Sequence, residues 1–157
     1  MARRDHYHEP NAPKANSLRV AVSAFVLDKA GRRLLMIRRT DNDRYAIPGG
    51  GQEFGESVTQ AVVREVQEET GLVVEVTGFI GIFSDPGYVI EYDDGEVRQE
   101  FSLCFRARPV SGELRTSSES KEVLWVEPAE LDDLNIHPAI QLRIARGFEG
   151  LDQPFYT

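Results

Sequence analysis

One helix in this chain carries acidic side chains on the face that its apolar residues mark as buried. The helix is predicted over residues 57–70, because Ser57 and Gln60 have the spacing of an N-terminal capping box and Gly71 is the residue type that most often ends a helix. With both ends assigned, the position of each side chain around the axis follows from the rotation of about 100° per residue. This helix is therefore the segment whose surroundings the sequence constrains most.

The apolar face of the helix turns acidic in its second half. It begins with three apolar residues, Val58, Ala61 and Val62. Glu65 and Glu69 continue the same face and Glu68 lies beside them, close to the C-terminal end, where the helix dipole favours cations. A run of charges is ordinarily a solvated face, but on a buried face a divalent cation such as Mg²⁺ or Mn²⁺ would relieve the repulsion between the carboxylates. Arg64, one turn before Glu68, is suited to hold a carboxylate in place.

The residues around this helix form a longer motif over residues 50–72. Its defined positions are Gly50, Glu56, Arg64, Glu65, Glu68, Glu69 and Gly71. The segment resembles the Nudix box, the signature of the Nudix hydrolase superfamily, as it occurs in ADP-ribose pyrophosphatase-like and MutT-like members. The resemblance covers about residues 18–146.

The resemblance implies the Nudix fold, an α/β (α+β-like) architecture in which a mixed β-sheet is sandwiched between α-helices. The pattern of strand-like apolar segments with few helices agrees with it. Residues 18–157 are predicted to form a single Nudix hydrolase domain, and residues 1–17 a flexible or edge-packing N-terminal arm. Two local expectations are a hairpin formed by residues 20–27 and 34–37, and a loop at residues 48–51.

The resemblance also implies a metal site and a set of catalytic residues. The positions that match the family's metal ligands are Glu65, Glu68 and Glu69, with Glu56 as an accessory carboxylate and a backbone carbonyl from Gly49 or Gly50. Mg²⁺ is the implied cofactor, with Mn²⁺ as its substitute. The expected catalytic residues are Arg64, Glu68, Glu69 and Glu119. The general base is left open between a glutamate of the box, Glu119 and Glu100, with Glu119 preferred because related enzymes carry a functional glutamate in a loop before the late strand.

Five residues are candidates for contact with the substrate: Arg38, Arg39, Tyr45, Phe83 and Tyr88. Because neighbouring residues of a strand face opposite sides, at most one of the two arginines is expected to reach a substrate phosphate. The aromatic rings are suited to stack on a base or a sugar, although aromatic residues in strands more often belong to the core. Four further residues are assigned no chemical role: His6, His8, His137 and Cys104.

Composition narrows the classes of partner. The formal net charge of −8 disfavours binding to a nucleic-acid backbone, and it makes a cation more necessary for an anionic substrate. A single cysteine and the lack of a long apolar run predict a cytoplasmic protein that does not bind a membrane.

The function implied by the resemblance is hydrolysis of the diphosphate linkage in a small nucleoside diphosphate derivative, with ADP-ribose or a nucleotide sugar as the first choice. A (deoxy)nucleoside triphosphate pyrophosphatase that releases pyrophosphate would use the same motif and is the alternative. A non-catalytic module that senses a nucleotide is a third reading, disfavoured because all four box carboxylates are present. Members of the family commonly form homodimers, so the resemblance is compatible with a homodimer.

Overall fold

The computed structural model describes residues 2–157. Within them the chain forms twelve strands, two α-helices and one 3-10 helix. In chain order the elements are β1 (Arg3–Tyr7), β2 (Ser17–Leu18), β3 (Ala21–Val26), β4 (Leu34–Arg39), β5 (Tyr45–Ala46), β6 (Gly49–Gly51), α1 (Val58–Thr70), β7 (Leu72–Phe83), β8 (Tyr88–Tyr92), β9 (Val97–Gln99), β10 (Ser102–Gly112), β11 (Ser120–Val126), the 3-10 helix (Pro128–Asp133), α2 (Pro138–Glu149) and β12 (Phe155–Tyr156).

A five-stranded mixed sheet, ordered β12-β7-β10-β3-β6, forms the centre of the molecule. In it β10 runs parallel to β3 and antiparallel to β7. Successive side chains of β3 face opposite ways: Val22 and Ala24 join a core with Val62 of α1, whereas Phe25 joins a second core with Ile144 of α2. The two helices therefore cover opposite faces of the sheet, and the predicted α/β sandwich is confirmed.

The predicted hairpin of residues 20–27 and 34–37 is wrong. The strands β3 and β4 meet only at a single bridge between Leu27 and Leu34. Both edges of β3 are occupied by β10 and β6, while β4 pairs with β11 and β5 in a separate three-stranded sheet. The local turn signal does not produce a hairpin here, because both strands already pair on each edge with other segments of the chain.

The glycines predicted as a loop form strand β6, which pairs antiparallel with β3. The absence of side chains permits this close pairing, since a Cβ atom on Gly49 would collide with the carbonyl oxygen of Val22. A Cβ atom on Gly50 would lie 2.5 Å from the carboxylate carbon of Glu65. The glycine segment is therefore a strand that brings bare backbone against the acidic face of α1.

Helix α1 begins and ends as predicted. Ser57 caps it, with the Gln60 amide donating to Oγ of Ser57 (3.2 Å) and the Ser57 amide donating to Oε1 of Gln60 (2.8 Å). Gly71 ends it in the left-handed region at φ 85°. The side chains of Glu65 and Glu69 are only 8% and 2% exposed, so the acidic part of the face is buried, as the sequence predicts.

Strand β1 lies at the edge of a four-stranded sheet, β1-β8-β9-β2. It pairs antiparallel with β8 over five residues, from Arg3 opposite Tyr92 to Tyr7 opposite Tyr88.

The side chain of His137 caps α2 by accepting from the Ala139 amide. Across residues 2–157 no helix has the length and apolar character needed to cross a bilayer.

Candidate active site

Three carboxylates converge at the buried face of α1. Carboxylate oxygens of Glu65, Glu69 and Glu119 all lie within 4.8 Å of one another. Glu65 and Glu69 come from consecutive turns of the helix, and Glu119 comes from the loop that precedes β11. We call this cluster of three residues the acidic end.

The loop that carries Glu119 is tied to α1 by a buried serine. The hydroxyl of Ser120 donates to the backbone carbonyl of Glu69 (2.5 Å) and is 2.7 Å from the hydroxyl of Ser117. The amide of Thr40 donates to the carbonyl of Glu119 (3.1 Å). These bonds fix the loop beside the helix, and the only hint of them in the sequence is that the loop is rich in serine.

Burial sets the electrostatics of the acidic end. It raises the pKa of Glu69 to about 8, against the opposing effect of the Gly49 amide, which donates to Oε1 of Glu69 (2.7 Å). Burial also raises the pKa of Glu65, while the guanidinium of Arg64 acts in the opposite direction. Glu65 thus has one cationic partner, Arg64 (2.9 Å), whereas Glu69 has none within 4 Å among residues 2–157.

Arg64 organises the surrounding carboxylates. Its Nη2 and Nε donate to Glu56 at 2.7 and 3.0 Å, and its Nη1 donates to Glu65 at 2.9 Å and Glu68 at 3.2 Å. Its hydrogen bonds hold the pKa of Glu56 below the usual range. Arg64 also donates to the carbonyl of Gly51 (2.9 Å), which links helix and glycine strand.

The structure therefore groups the predicted ligands differently from the motif. Glu65 and Glu69 lie together with Glu119, whereas Glu68 is largely exposed and contacts Arg64. Glu56 is bound to Arg64 from two sides. Of the two predicted glycines, Gly49 donates its amide to Glu69 (2.7 Å), and Gly50 lies against the Glu65 carboxylate.

The donor set of the acidic end fits a hard divalent cation. Its donors are all oxygen atoms, which Mg²⁺ and Mn²⁺ prefer, and the missing side chain of Gly50 lets the Glu65 carboxylate lie against the glycine strand. Among the described residues the three carboxylates have one ion pair between them, that of Glu65 with Arg64, and a cation there would supply the positive charge that Glu69 lacks. The acidic end is thus a candidate metal centre.

Gly50→Ala is expected to weaken Mn²⁺ binding by about tenfold or more, because the added methyl group would displace the Glu65 carboxylate. The matched control is Gly51→Ala, since a Cβ atom at Gly51 meets nothing within 4 Å. Titration calorimetry with Mn²⁺ would measure both variants. If the two variants bind Mn²⁺ with equal affinity, the absence of a side chain at Gly50 has no role in metal binding.

A cavity of about 580 Å³ extends from the acidic end toward β1, β8 and the start of α2. Six arginines line it: Arg3, Arg19, Arg39, Arg44, Arg98 and Arg143. Five of them form ion pairs with carboxylates. Arg44 alone among the six has no carboxylate within 4 Å in residues 2–157. Its neighbour Tyr45 forms a β-bridge with Ile136, which places Arg44 close to residue 136 in the cavity wall. Among the described residues that line the cavity, Arg44 is therefore the one arginine whose charge is not paired with a carboxylate.

The candidate substrate contacts divide into two groups. Arg39, Tyr45 and Tyr88 line the cavity. Arg38 does not line it, because strand alternation turns its guanidinium away toward Asp43 (2.8 Å) and Glu122 (3.3 Å). Phe83 does not line it either, because it is buried in the core against Phe155. Arg38 and Phe83 therefore lie outside the cavity, and Arg39 is the one of the two arginines that lines it, in keeping with the expectation that at most one would.

The remaining sequence candidates have structural partners. Glu100, the alternative base, forms a buried ion pair with Arg143 (2.8 Å). His6 contacts Glu9 and Glu91, and His8 contacts Asp85, so these two histidines do not share a ligand. Cys104 is buried in the core.

Comparison with known proteins agrees with the fold and the motif. The NUDIX domain model matches residues 17–146. An ADP-ribose pyrophosphatase of Methanocaldococcus jannaschii is 34% identical over 131 residues, 78% of this chain and 68% of that protein. Nucleoside triphosphatase NudI of Escherichia coli O139:H28 is 32% identical over 108 residues, 64% of this chain and 75% of that protein.

Among solved structures, a NUDIX hydrolase from Nitrosomonas europaea has the same fold, with a TM-score of 0.70 and 21% identity across 88% of this chain and 94% of that one. The match to the domain model spans most of the chain and includes α1, the glycine strand and the loop of Glu119. The chain therefore belongs to the Nudix family and is a hydrolase that acts on phosphorus-containing anhydrides.

Proposed function

We propose that this hydrolase binds Mg²⁺, or Mn²⁺ in its place, at the acidic end and cleaves the diphosphate linkage of a nucleoside diphosphate derivative, either ADP-ribose or a nucleotide sugar. The observation that carries the proposal is the cavity, which joins the acidic end to Arg39 and to the guanidinium of Arg44, which is unpaired within residues 2–157. Its volume of about 580 Å³ lies in the ordinary range of small-ligand sites, about 300–1,000 Å³. The ADP-ribose pyrophosphatase relative supports the choice of substrate class.

Glu65 and Glu69 would hold the cation, with the backbone of Gly49 or Gly50 beside them and Glu68 and Glu56 as outer carboxylates. A divalent cation at such a site neutralises the diphosphate and lowers the pKa of a bound water. Arg64 keeps Glu56, Glu65 and Glu68 in place.

Glu119 is the residue that we propose as the general base. Its carboxylate lies at the acidic end and lines the cavity, and no cationic side chain lies within 4 Å of it among residues 2–157. Glu100 is a weaker candidate because Arg143 already occupies its carboxylate. A base has to be free to accept a proton from the attacking water.

Arg39 and Arg44 would bind the anionic substrate. Asp41 accepts two hydrogen bonds from Arg39 (2.8 and 2.6 Å), so part of the Arg39 charge is already neutralised. Arg44 has no such partner and offers its guanidinium to phosphate oxygens.

Arg44→Gln is expected to raise KM by about tenfold or more with a smaller effect on kcat, because a charge-assisted hydrogen bond contributes about 1.5–3 kcal/mol. Arg38→Gln is the matched control, since Arg38 lies outside the cavity in strand β4, close to the β4–β5 connection that carries Arg44. Steady-state kinetics would compare the two variants. A KM for Arg44→Gln within twofold of the unchanged enzyme would remove Arg44 from the substrate site.

Hydrolysis of nucleoside triphosphates is the second candidate, favoured by the NudI relative. The acidic end would serve either reaction, so the products have to separate them. Purified protein with Mg²⁺ would be offered ADP-ribose, a nucleotide sugar, a dinucleoside polyphosphate and the deoxynucleoside triphosphates, and the products resolved by chromatography.

AMP and ribose 5-phosphate from ADP-ribose would support the proposal, whereas pyrophosphate from triphosphates would replace it. An absence of turnover with metal bound would favour a nucleotide-sensing module.

A further inference from the structure

Away from α1, the cavity is also lined by Asp5 of β1, Tyr88 of β8 and His137 at the start of α2. We call these three residues the aromatic end. The rings of Tyr88 and His137 stack with centroids 4.4 Å apart, and the Tyr7 ring packs edge-on against His137 at 5.2 Å. Tyr88 and His137 are 5% and 6% exposed, so the end is built from packed side chains.

His137 presents a hydrogen-bond donor to the cavity. Burial lowers the pKa of its ring to about 4, so the ring is neutral at pH 7. Its Nδ1 accepts from the Ala139 amide (3.1 Å), and a neutral ring that accepts at Nδ1 carries its proton on Nε2. None of the residues from 2 to 157 accepts a hydrogen bond from Nε2, and His137 lines the cavity.

Asp5 presents a hydrogen-bond acceptor to the same end. Arg3 donates to it twice, from Nε (3.1 Å) and Nη2 (2.7 Å), and both bonds go to Oδ1. Oδ2 accepts no hydrogen bond from the described part of the chain. The side chain of Arg3 also reaches the Tyr88 hydroxyl (3.4 Å), which fixes Asp5 beside the ring stack.

We infer that the aromatic end is a second binding subsite, in which Asp5 and His137 hold hydroxyl groups of the sugar on the far side of the cleaved diphosphate. The inference rests on the proposed function and adds the residues that select the substrate. A hydroxyl group both donates and accepts, so it satisfies an unpaired carboxylate oxygen and an unpaired N–H together. A phosphate group offers only acceptors, so it cannot donate to Asp5 and is a poorer match for this pair than a hydroxyl group.

The subsite depends on a part of the chain that the domain model does not match. Asp5 lies in β1, ahead of the matched residues 17–146, and reaches the cavity only because β1 pairs with β8. Substrates that end at the second or third phosphate have no group for this subsite. The aromatic end therefore favours sugar-bearing substrates over nucleoside triphosphates.

The test compares two ligands that cannot be hydrolysed, the α,β-methylene analogues of ADP-ribose and of ADP, by titration calorimetry with Mg²⁺. Asp5→Asn removes the carboxylate charge and His137→Asn removes the Nε2 donor, while asparagine keeps the helix cap. Each substitution is expected to weaken the ADP-ribose analogue about tenfold and the ADP analogue less than twofold, since leaving a buried polar partner unpaired costs about 1–3 kcal/mol. The control is Asp93→Asn, which should change neither affinity, because Asp93 is an exposed acid beyond β8 whose side chain has no hydrogen-bond partner among residues 2–157.

The outcomes separate the subsite from the reaction. The subsite would be overturned by any of three results. The unchanged protein could bind the two analogues equally or bind neither, or the variants could weaken both analogues to the same extent. Selective weakening of the ADP-ribose analogue without any hydrolysis of ADP-ribose would keep the subsite and overturn the proposed function.

Discussion

Glu69→Gln is expected to abolish hydrolysis and, in the metal-free protein, to increase the free energy of unfolding at pH 8. Burial raises the pKa of Glu69 to about 8, well above the ordinary value of 4.5. A carboxyl group with a raised pKa in the folded state favours folding below pH 4.5, and that contribution is lost as the pH rises toward 8. Glutamine is neutral throughout, and its side-chain oxygen can still accept from the Gly49 amide.

The size of the effect follows from the shift in pKa. Each unit corresponds to about 1.4 kcal/mol, so keeping Glu69 charged at the acidic end costs on the order of 5 kcal/mol above pH 8. For a chain of this length 1 kcal/mol moves Tm by about 2–4 °C, so the variant should melt about 10 °C or more above the unchanged protein. Loss of a metal ligand should lower kcat/KM by at least about 100-fold, since even partners of a ligand have effects of about 10–100-fold.

Thermal melts in EDTA between pH 4.5 and 8.5 would measure how far the buried charge of Glu69 lowers Tm. The control is Glu68→Gln on the same helix, because Glu68 is exposed and should show no gain in Tm at pH 8. Mg²⁺ should raise Tm of the unchanged protein and have little effect on Glu69→Gln. A Glu69→Gln variant that melts no higher than the unchanged protein at pH 8 would contradict the assigned cost of burial.

The parts of the site that the sequence predicts are those set by neighbours along the chain. The caps of α1 and the acidic continuation of its apolar face depend on residues three or four apart, which a helix brings together. The opposite orientation of Arg38 and Arg39 follows equally from strand alternation, and Arg39 is the one that lines the cavity.

The parts that the sequence misses depend on distant pairing. Glu119 joins Glu65 and Glu69 through bonds such as that from Ser120 to the Glu69 carbonyl, across about 50 residues, and only the resemblance to the family suggested it. Asp5 gives no local signal at all, because β1 is a polar segment whose position is decided by pairing with β8. The glycine strand was predicted as a loop, since the collision that a Cβ atom would cause there is visible only in three dimensions.

Glu119→Gln is expected to lower kcat by about 10²–10⁴-fold while KM changes little, because removing a general base affects the chemical step and leaves substrate binding in place. Since Glu119 also lies within reach of Glu65 and Glu69, it could instead act as a metal ligand. The two roles differ in Mn²⁺ affinity. A base predicts unchanged affinity in Glu119→Gln, and a ligand predicts a loss similar to that of Glu69→Gln.

The controls for Glu119 use the other acids near it. Glu113→Gln removes an exposed acid from the segment between β10 and β11 and should leave kcat unchanged. Glu100→Gln should lower Tm by breaking the buried pair with Arg143, with no selective loss of kcat in the protein that remains folded. Single-turnover kinetics at saturating Mg²⁺ would measure all three variants. Full activity in Glu119→Gln would transfer the role of base to a glutamate on α1, and Glu68 would then be the first to test because it is the exposed acid next to the cluster.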